Sequence, residues 1–354
     1  MKSNLKFFKK LKILPADEFI GNVLYDSKFG YYNSKLPFGE KGDFITSPKI
    51  SYLFSEMIAI WLISTWEIFG RPKTFNIIEL GPGDCSLTKT LINTFKNFPE
   101  FNSSKTIYLY EKSNYLKKIQ KKNILNKEVR WINNFDKIKK GPVIFFGNEF
   151  FDAIPIKQFK NDKGSLFEKN YTINQDYKIK EVFKKASDSN VKIVKSFKTL
   201  KNLRFIELPK LGLDELTKII KKIKKSSGCI LMIDYGYLKS NNQSTLQSVM
   251  GHKKNNLLNN LGKADITSHV NFPLLKEFFK KKKLKIKNII SQKEFLENMG
   301  ILKRAEIISK KMKFSEQSNL YLRLKRLLNP RLMGNLFKVI LAHKTNFNNF
   351  AGFK

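Results

Sequence analysis

The sequence predicts an α/β fold: a doubly wound, mostly parallel, Rossmann-like sheet with an N-terminal helical extension and insertions after strands four and five. Three observations predict it. Short apolar runs of β-branched and aromatic residues recur near Phe75 to Leu80, Ile107 to Tyr110, Pro142 to Gly147 and Cys229 to Tyr235, as in strands buried on both faces. Segments of helical spacing separate several of these runs. The first run ends at once in the glycine turn Gly81-Pro82-Gly83, and Leu87, Leu91 and Phe95 then recur at the spacing of one helix face.

Taken in order, Pro15 to Tyr25 reads as a helix with Phe19, Ile20, Val23 and Leu24 on one face, and Gly30-Tyr31-Tyr32 as a turn. Phe38 to Pro48 is a glycine-broken loop ending in Ser47-Pro48, an N-cap followed by proline at the first helical position. A helix from Pro48 to about Phe69 follows, supported by Leu53, Met57, Ile60 and Trp61. The core starts at Phe75. Its second strand lies near Ile107, its third near Val129-Arg130-Trp131, and its fourth spans Pro142 to Gly147. Alternating apolar positions from Leu166 to Val182 predict a β-hairpin or meander. A helix from Leu213 to Lys225 leads to the fifth strand, Cys229 to Tyr235. Gly236 to Gly262 is polar and reads as a long loop over the site. A helix at Phe272 to Lys283, a strand at Leu284 to Ser291, three helices near 295–302, 304–312 and 316–328, and a final strand at Phe337 to Ala342 complete the chain. The expected divisions are 1–70 for the extension and a cofactor-covering loop, 71–160 for the first half of the core, 161–227 for the insertion, and 228–354 for the second half.

The 354 residues are 42% hydrophobic and include 31 Phe, enough for a large core. Cys85 and Cys229 are the only cysteines, which excludes a disulfide framework and sets a reducing compartment as the expectation. His252, His269 and His343 have no metal-ligand spacing, so no metal is expected. The net charge of +37 is nearly all lysine, with seven arginines, and the basic runs are spread along the chain. Scarce arginine argues against DNA reading; the lysine-rich faces leave RNA or an anionic membrane surface open as partners. The N-terminus is basic without an apolar stretch, and the apolar-rich run Met57 to Phe69 is too short to span a bilayer. A soluble, cytoplasmic protein is the expectation. Oligomeric state is not legible.

Strand, glycine turn and helix together bring a nucleotide-like ligand against backbone N–H groups. Glu79 stands just before the turn, where a phosphate would be repelled and a sulfonium attracted, and Glu111 ends the second strand, where an acid accepts from ribose hydroxyls. Neither phosphate-binding glycine pattern occurs. These residues point to S-adenosylmethionine (SAM), with another nucleotide or a purely structural turn as the alternatives. Strand four delivers Asn148-Glu149-Phe150-Phe151-Asp152 and strand five delivers Asp234-Tyr235-Gly236 to the same crevice. Glu149 and Asp152 suit the planar, permanently charged fork of an arginine. Alternatively, Asn148 and Asp152 cap a turn. The N-P-P-[YF] turn suited to an adenine acceptor is absent.

At these residues the chain resembles the MidA family of SAM-dependent methyltransferases, over nearly its whole length. The carrying motifs are F-G-Y-Y at Phe29 to Tyr32, G-D-F-I-T-S-P at Gly42 to Pro48, E-L-G-P-G at Glu79 to Gly83 and Y-E-K-S at Tyr110 to Ser113. N-E-F-F-D-A-I-P at Asn148 to Pro155, I-D-Y-G at Ile233 to Gly236 and D-I-T-S-H-V-N-F at Asp265 to Phe272 follow, with M-G at Met333 and F-K-V at Phe337 to Val339. The resemblance implies a class I methyltransferase sheet and a protein arginine methyltransferase whose mitochondrial relative dimethylates a peripheral-arm subunit of respiratory complex I during assembly. It implies that Gly81, Pro82, Gly83 and Glu111 bind SAM, and that the loop 42–48 covers it through Asp43 and Thr46. It implies that Asn148, Glu149 and Asp152 face the acceptor, and that Asp234, Tyr235, Asp265, Thr267 and His269 shape the substrate channel, or that Asp265 and Thr267 only fix a helix start. The chain departs from the family pattern at Lys49, Ser55 and Cys85. An RNA methyltransferase, motivated by the charge, and a non-catalytic assembly chaperone are the competing readings.

Overall fold

The computed structural model describes residues 2–9, 11–37, 39, 42, 43, 45–125, 129–239 and 241–353. A nine-stranded sheet forms its centre. Strands Val129–Ile132, Lys105–Tyr110, Phe75–Leu80, Val143–Asn148 and Gly228–Tyr237 lie side by side in that order, all parallel. Phe337–Lys344 runs antiparallel beside Gly228–Tyr237. The direction of winding reverses between Phe75–Leu80 and Val143–Asn148, and such a switch point opens a crevice beyond the carboxyl ends of the two strands.

The central strands are apolar on both sides because both faces are covered. Phe75 and Ile77 enter one core with the helices Tyr52–Ile68, Ser86–Phe95, Gln292–Asn298, Ile301–Ser309 and Phe314–Leu328. Ile78 and Leu80 enter a second core with Lys210–Ser226 and Phe272–Lys281. The helix Ala16–Tyr25 packs with Phe7, Phe8 and Tyr31 in a third. Strand alternation thus assigns neighbours in sequence to opposite sides of the sheet.

The alternation from Leu166 to Val182 forms the antiparallel pair Ser165–Ile173 and Ile179–Lys185. This pair belongs to a larger five-stranded sheet that also contains Lys157–Asp162 and Phe205–Leu208. Its remaining strand is Ile13–Pro15, with Ile13 opposite Thr172, so the N-terminal extension is not purely helical. Lys157 reinforces this junction, its Nζ lying 2.9 Å from Asp17 and 2.6 Å from Glu168.

Other expectations need correction. The segment 236–262 is not a loop throughout: Gln247–Met250 and Lys253–Asn255 form a hairpin, and Asp265–Thr267 adds a third strand. The turn is made by Gly251 and His252, both at positive φ (56° and 61°), the geometry a two-residue hairpin requires. The helix expected from Pro48 to Phe69 breaks at Ser51, whose extended backbone (φ −150°) separates Ser47–Ile50 from Tyr52–Ile68 and whose hydroxyl caps the second. The strand expected from Leu284 to Ser291 reduces to Lys285–Ile286 and Ile290–Ser291. In the loop 38–48, residues 38, 40, 41 and 44 lie outside the described residues.

Candidate active site

The turn after Phe75–Leu80 is shaped by backbone no ordinary side chain favours. Gly81 and Gly83 have φ of 63° and 56°, and a Cβ on Gly81 would stand 3.0 Å from Phe150. The helix Ser86–Phe95 starts beyond this turn. Asp84 ties the turn down by accepting from the backbone and hydroxyl of Ser86 at 3.1 and 2.7 Å, and Lys49 reaches its other oxygen at 2.6 Å. The departure at Lys49 therefore has a partner here: it fastens the loop 42–50 to the glycine turn.

A cavity of about 640 Å³ opens from Gly81 and Gly83 toward Glu111, Tyr25, Tyr32, Phe150 and Glu149. It is large enough for a nucleoside with an amino-acid tail. Glu111 stands at the end of Lys105–Tyr110; burial pushes its carboxyl up, opposed by hydrogen bonds from Ser113 N at 2.8 Å and Gln120 Nε2 at 3.0 Å. A smaller recess beside it is lined by Thr46, Pro48, Glu79, Pro82, Asn148 and Glu149. Glu79 is 3% exposed, accepts from the Thr88 hydroxyl at 2.5 Å, and is pushed up to about 7 by burial, with Asp84 adding and Thr88 opposing. The positive-φ glycines, the roomy cavity and the acid at the second strand's end fit an adenosyl sulfonium ligand.

The tip of Val143–Asn148 places the remaining acids. Glu149 sits at φ 53°, half-buried, where it borders both the cavity and the recess. Its Oε1 accepts from Asn148 Nδ2 at 2.9 Å and Ser47 N at 3.3 Å, while no hydrogen bond reaches Oε2 among the described residues. Burial, and then the charge of Asp152, push Glu149 up to about 7. Asp152 accepts from the Tyr235 hydroxyl at 2.6 Å and is pushed up to about 6 by burial. Its Oδ1 and the Oδ1 of Asn148 are buried without a partner among the described residues.

Behind them Asp234, 1% exposed, accepts from the backbone of Phe151, Asp152 and Tyr235 at 2.9, 3.2 and 2.9 Å, which locks the turn after strand four onto strand five. Asp265 accepts from the Tyr32 hydroxyl at 3.0 Å and is pushed up to about 8 by burial and then by Asp152. Gly236 lets Val270–Asn271 pair against the end of strand five, since a Cβ there would meet Val270 O at 2.1 Å. That approach sets His269 edge-on to Tyr235, with ring centres 5.4 Å apart. Thr267 receives Gln247 Nε2 at 3.3 Å.

Glu149 and Asn148 stand with Thr46, Glu79, Gly81, Pro82 and Gly83 around the recess, and Glu149 with Glu111 around the cavity, while Asp152, Asp234, Tyr235, Asp265 and His269 form a linked group beside them. Asp43 lines neither the cavity nor the recess, though its charge reaches Asp265. Its carboxylate is taken by Tyr31 and Lys35 at 2.5 Å and by Gly251 N at 2.6 Å; although burial works against it, these donors hold it below the usual range. It clasps the loop to the hairpin. Gln120 was missed by sequence reasoning. Fully buried on the helix Asn114–Asn123, it donates to Gly83 O at 2.9 Å as well as to Glu111, and receives Trp131 Nε1 at 3.0 Å. The available signal was a glutamine in line with Leu116 on that helix's buried face.

A family model described as "Putative S-adenosyl-L-methionine-dependent methyltransferase" matches residues 57–290. A Xenopus laevis protein named protein arginine methyltransferase NDUFAF7, mitochondrial, is 28% identical over 352 residues, covering 92% of this chain and 80% of the relative. Its Homo sapiens counterpart is 27% identical over 356 residues, with coverage of 92% and 80%. The Caenorhabditis elegans homologue is 29% identical over 317 residues, with coverage of 81% and 74%. A Burkholderia thailandensis protein crystallised with S-adenosyl-homocysteine superposes with a TM-score of 0.82 at 20% identity, covering 99% of this chain and 92% of that one, and shares the fold. The expectation of a cytoplasmic location is overturned by these relatives, which are named as mitochondrial. Nothing in the composition that suggested it distinguishes one reducing compartment from another.

Proposed function

Because the chain belongs to the MidA family of S-adenosyl-L-methionine-dependent methyltransferases, we propose that it methylates a guanidinium nitrogen of an arginine in a protein substrate. The names of the relatives support a protein arginine acceptor. The observation that carries the proposal is Glu149, which borders both the cavity running from the glycine turn and the recess beside it, with Oε2 uncommitted among the described residues.

When bound, SAM supplies a methyl group made electrophilic by its sulfonium. The residues of this chain do the rest. Gly81 and Gly83 permit close backbone approach, and Glu111 accepts from ribose hydroxyls. Asn148 and Ser47 fix Glu149 Oε1, so Oε2 can accept a guanidinium N–H and aim that nitrogen. Glu149 Oε2 would take up the proton that the nitrogen gives up on methylation. Burial makes this carboxylate a stronger base than an exposed glutamate, which suits the role. Asp152 lies behind it as a second negative group that favours a cation in the crevice. The reading extends, through the family, to dimethylation of a peripheral-arm subunit of complex I as an aid to its assembly.

Incubation with isotopically labelled SAM and a lysate of cells lacking this protein tests the proposal. Label in a protein band, mapped by mass spectrometry to arginine, is expected. Label confined to RNA would overturn the acceptor class, and absence of any label while complex I assembly depends on the protein would favour a chaperone.

A further inference from the structure

We infer that the cavity of about 500 Å³ beside His269 is a docking groove for an extended polypeptide segment flanking the methylated residue. The inference rests on the protein-arginine reading above and adds where the substrate backbone lies.

The groove's composition selects the ligand class. Its walls carry carboxamides and hydroxyls; Thr245 and Asn255 are paired within the chain, while Asn241, Gln247 and Asn256 each keep a polar atom unbonded among the described residues. Such groups pair with peptide N–H and C=O groups regardless of side chain. A polynucleotide groove instead needs several cations along the backbone and flat aromatic faces for the bases. Among the described lining residues Lys254 is the one cation, and none is Phe, Tyr or Trp. On a chain of net charge +37, a groove this poor in cations is set apart from the rest of the surface.

Two donors are already oriented. Asn241 Oδ1 accepts from Gln243 N at 3.0 Å, and Asn256 Oδ1 accepts from Leu258 N at 3.1 Å. Each bond fixes its carboxamide to its own loop and leaves the Nδ2 without a partner among the described residues. Holding donors in place before binding lowers the entropy lost on binding.

The groove also adjoins the turn that carries the acids. His269 N donates to Thr245 Oγ1 at 3.0 Å, and the His269 ring abuts Tyr235. Tyr235 spans from there to Asp152, and Ser268 N donates to Asp152 O at 3.1 Å. The groove therefore lies one buried aromatic side chain away from the turn that carries Glu149 and Asp152.

Initial-rate kinetics with two probes test this: a mixture of arginine-centred peptides, and N-acetylarginine amide, which fills the guanidinium site but not the groove. The wild-type KM should be at least about tenfold lower for the peptides, the effect of one or two hydrogen bonds. The double variant Asn241→Asp with Asn256→Asp keeps both turn-forming oxygens and removes both donors. Its peptide KM should rise about tenfold, with kcat and the Kd for S-adenosylhomocysteine moving far less. Equal wild-type KM values for the two probes, or an unmoved peptide KM in the double variant, overturns the groove alone. Failure of both probes to accept a methyl group, with S-adenosylhomocysteine still bound, overturns the arginine reading and the groove with it.

Discussion

Tyr235 donates its phenolic hydrogen to Asp152 across 2.6 Å and so joins the end of the fifth parallel strand to the turn that follows the fourth. No other side chain donates to Asp152 among the described residues, and its Oδ1 is buried without a partner. Tyr235→Phe should therefore cost about 1–3 kcal/mol, the penalty for a buried acceptor left bare. Urea denaturation reads this directly, and an unmoved midpoint would show that the bond carries no stability.

Glu149→Gln keeps the shape of the side chain and its contacts with Asn148 and Ser47 while removing the base. We expect kcat to fall by roughly 10²- to 10⁴-fold, the usual worth of a positioned acid or base. The Kd for S-adenosylhomocysteine should change little, as calorimetry would show. A variant with wild-type kcat would remove Glu149 from the chemistry.

The raised carboxyls make activity and stability move in opposite directions with pH. Glu79 and Glu149 are pushed up to about 7, Asp152 to about 6 and Asp265 to about 8. Unfolded, these groups titrate near pH 4. Between roughly pH 4 and 8 the folded chain therefore binds more protons than the unfolded one, and their contribution to stability is lost as pH rises through that window. The urea midpoint should be lower at pH 8.5 than at pH 5.5. Catalysis needs Glu149 ionised, so kcat should climb with pH through about 7. A kcat that is flat from pH 5.5 to 8.5 would contradict the assigned base.

Gln120 connects the glycine turn to the acid at the second strand's end. Gln120→Leu should raise the Kd for S-adenosylhomocysteine by about tenfold or more, since a hydrogen bond to a charged group is worth about 1.5–3 kcal/mol. Turnover at saturating SAM should fall much less. Equal affinity in the variant would show that Gly83 and Glu111 hold their positions unaided.

Lys157 lies between Asp17 and Glu168, and all three side chains are about nine-tenths buried. Lys157→Met leaves two carboxylates facing each other without their cation, and a loss of about 3–5 kcal/mol is expected from thermal or urea unfolding. Replacing all three residues by apolar ones of similar volume should recover much of it.

The central sheet and the glycine turn were legible because their signals are local. Phe75–Leu80 is apolar on both faces, and the helix after it shows its stripe within ten residues. The acids at the tips of strands four and five were legible because strand order places their ends at one crevice. What could not be read depends on distant partners. Ile13–Pro15 becomes a strand only because Ser165–Ile173 offers it an edge. Lys253–Asn255 is too short and polar to show alternation, and its two-residue turn is Gly-His rather than the Asn-Gly or Asp-Gly that marks such a hairpin in a sequence. Asp43 sits in a motif loop as a cofactor contact would, yet its donors come from Lys35 and, far along the chain, Gly251.

The pairing of Ile13 with Thr172 also has a consequence for biosynthesis. After Ile13 a ribosome must add about 160 residues, up to Thr172, before this segment finds its seat. Phe8 packs on Phe19, made soon after it, but the Phe7 ring lies against Gly262, so the cover of this cluster is completed only late in synthesis. The segment around Ile13 is thus among the later ones to settle, and the interval between is when a holding chaperone would matter most.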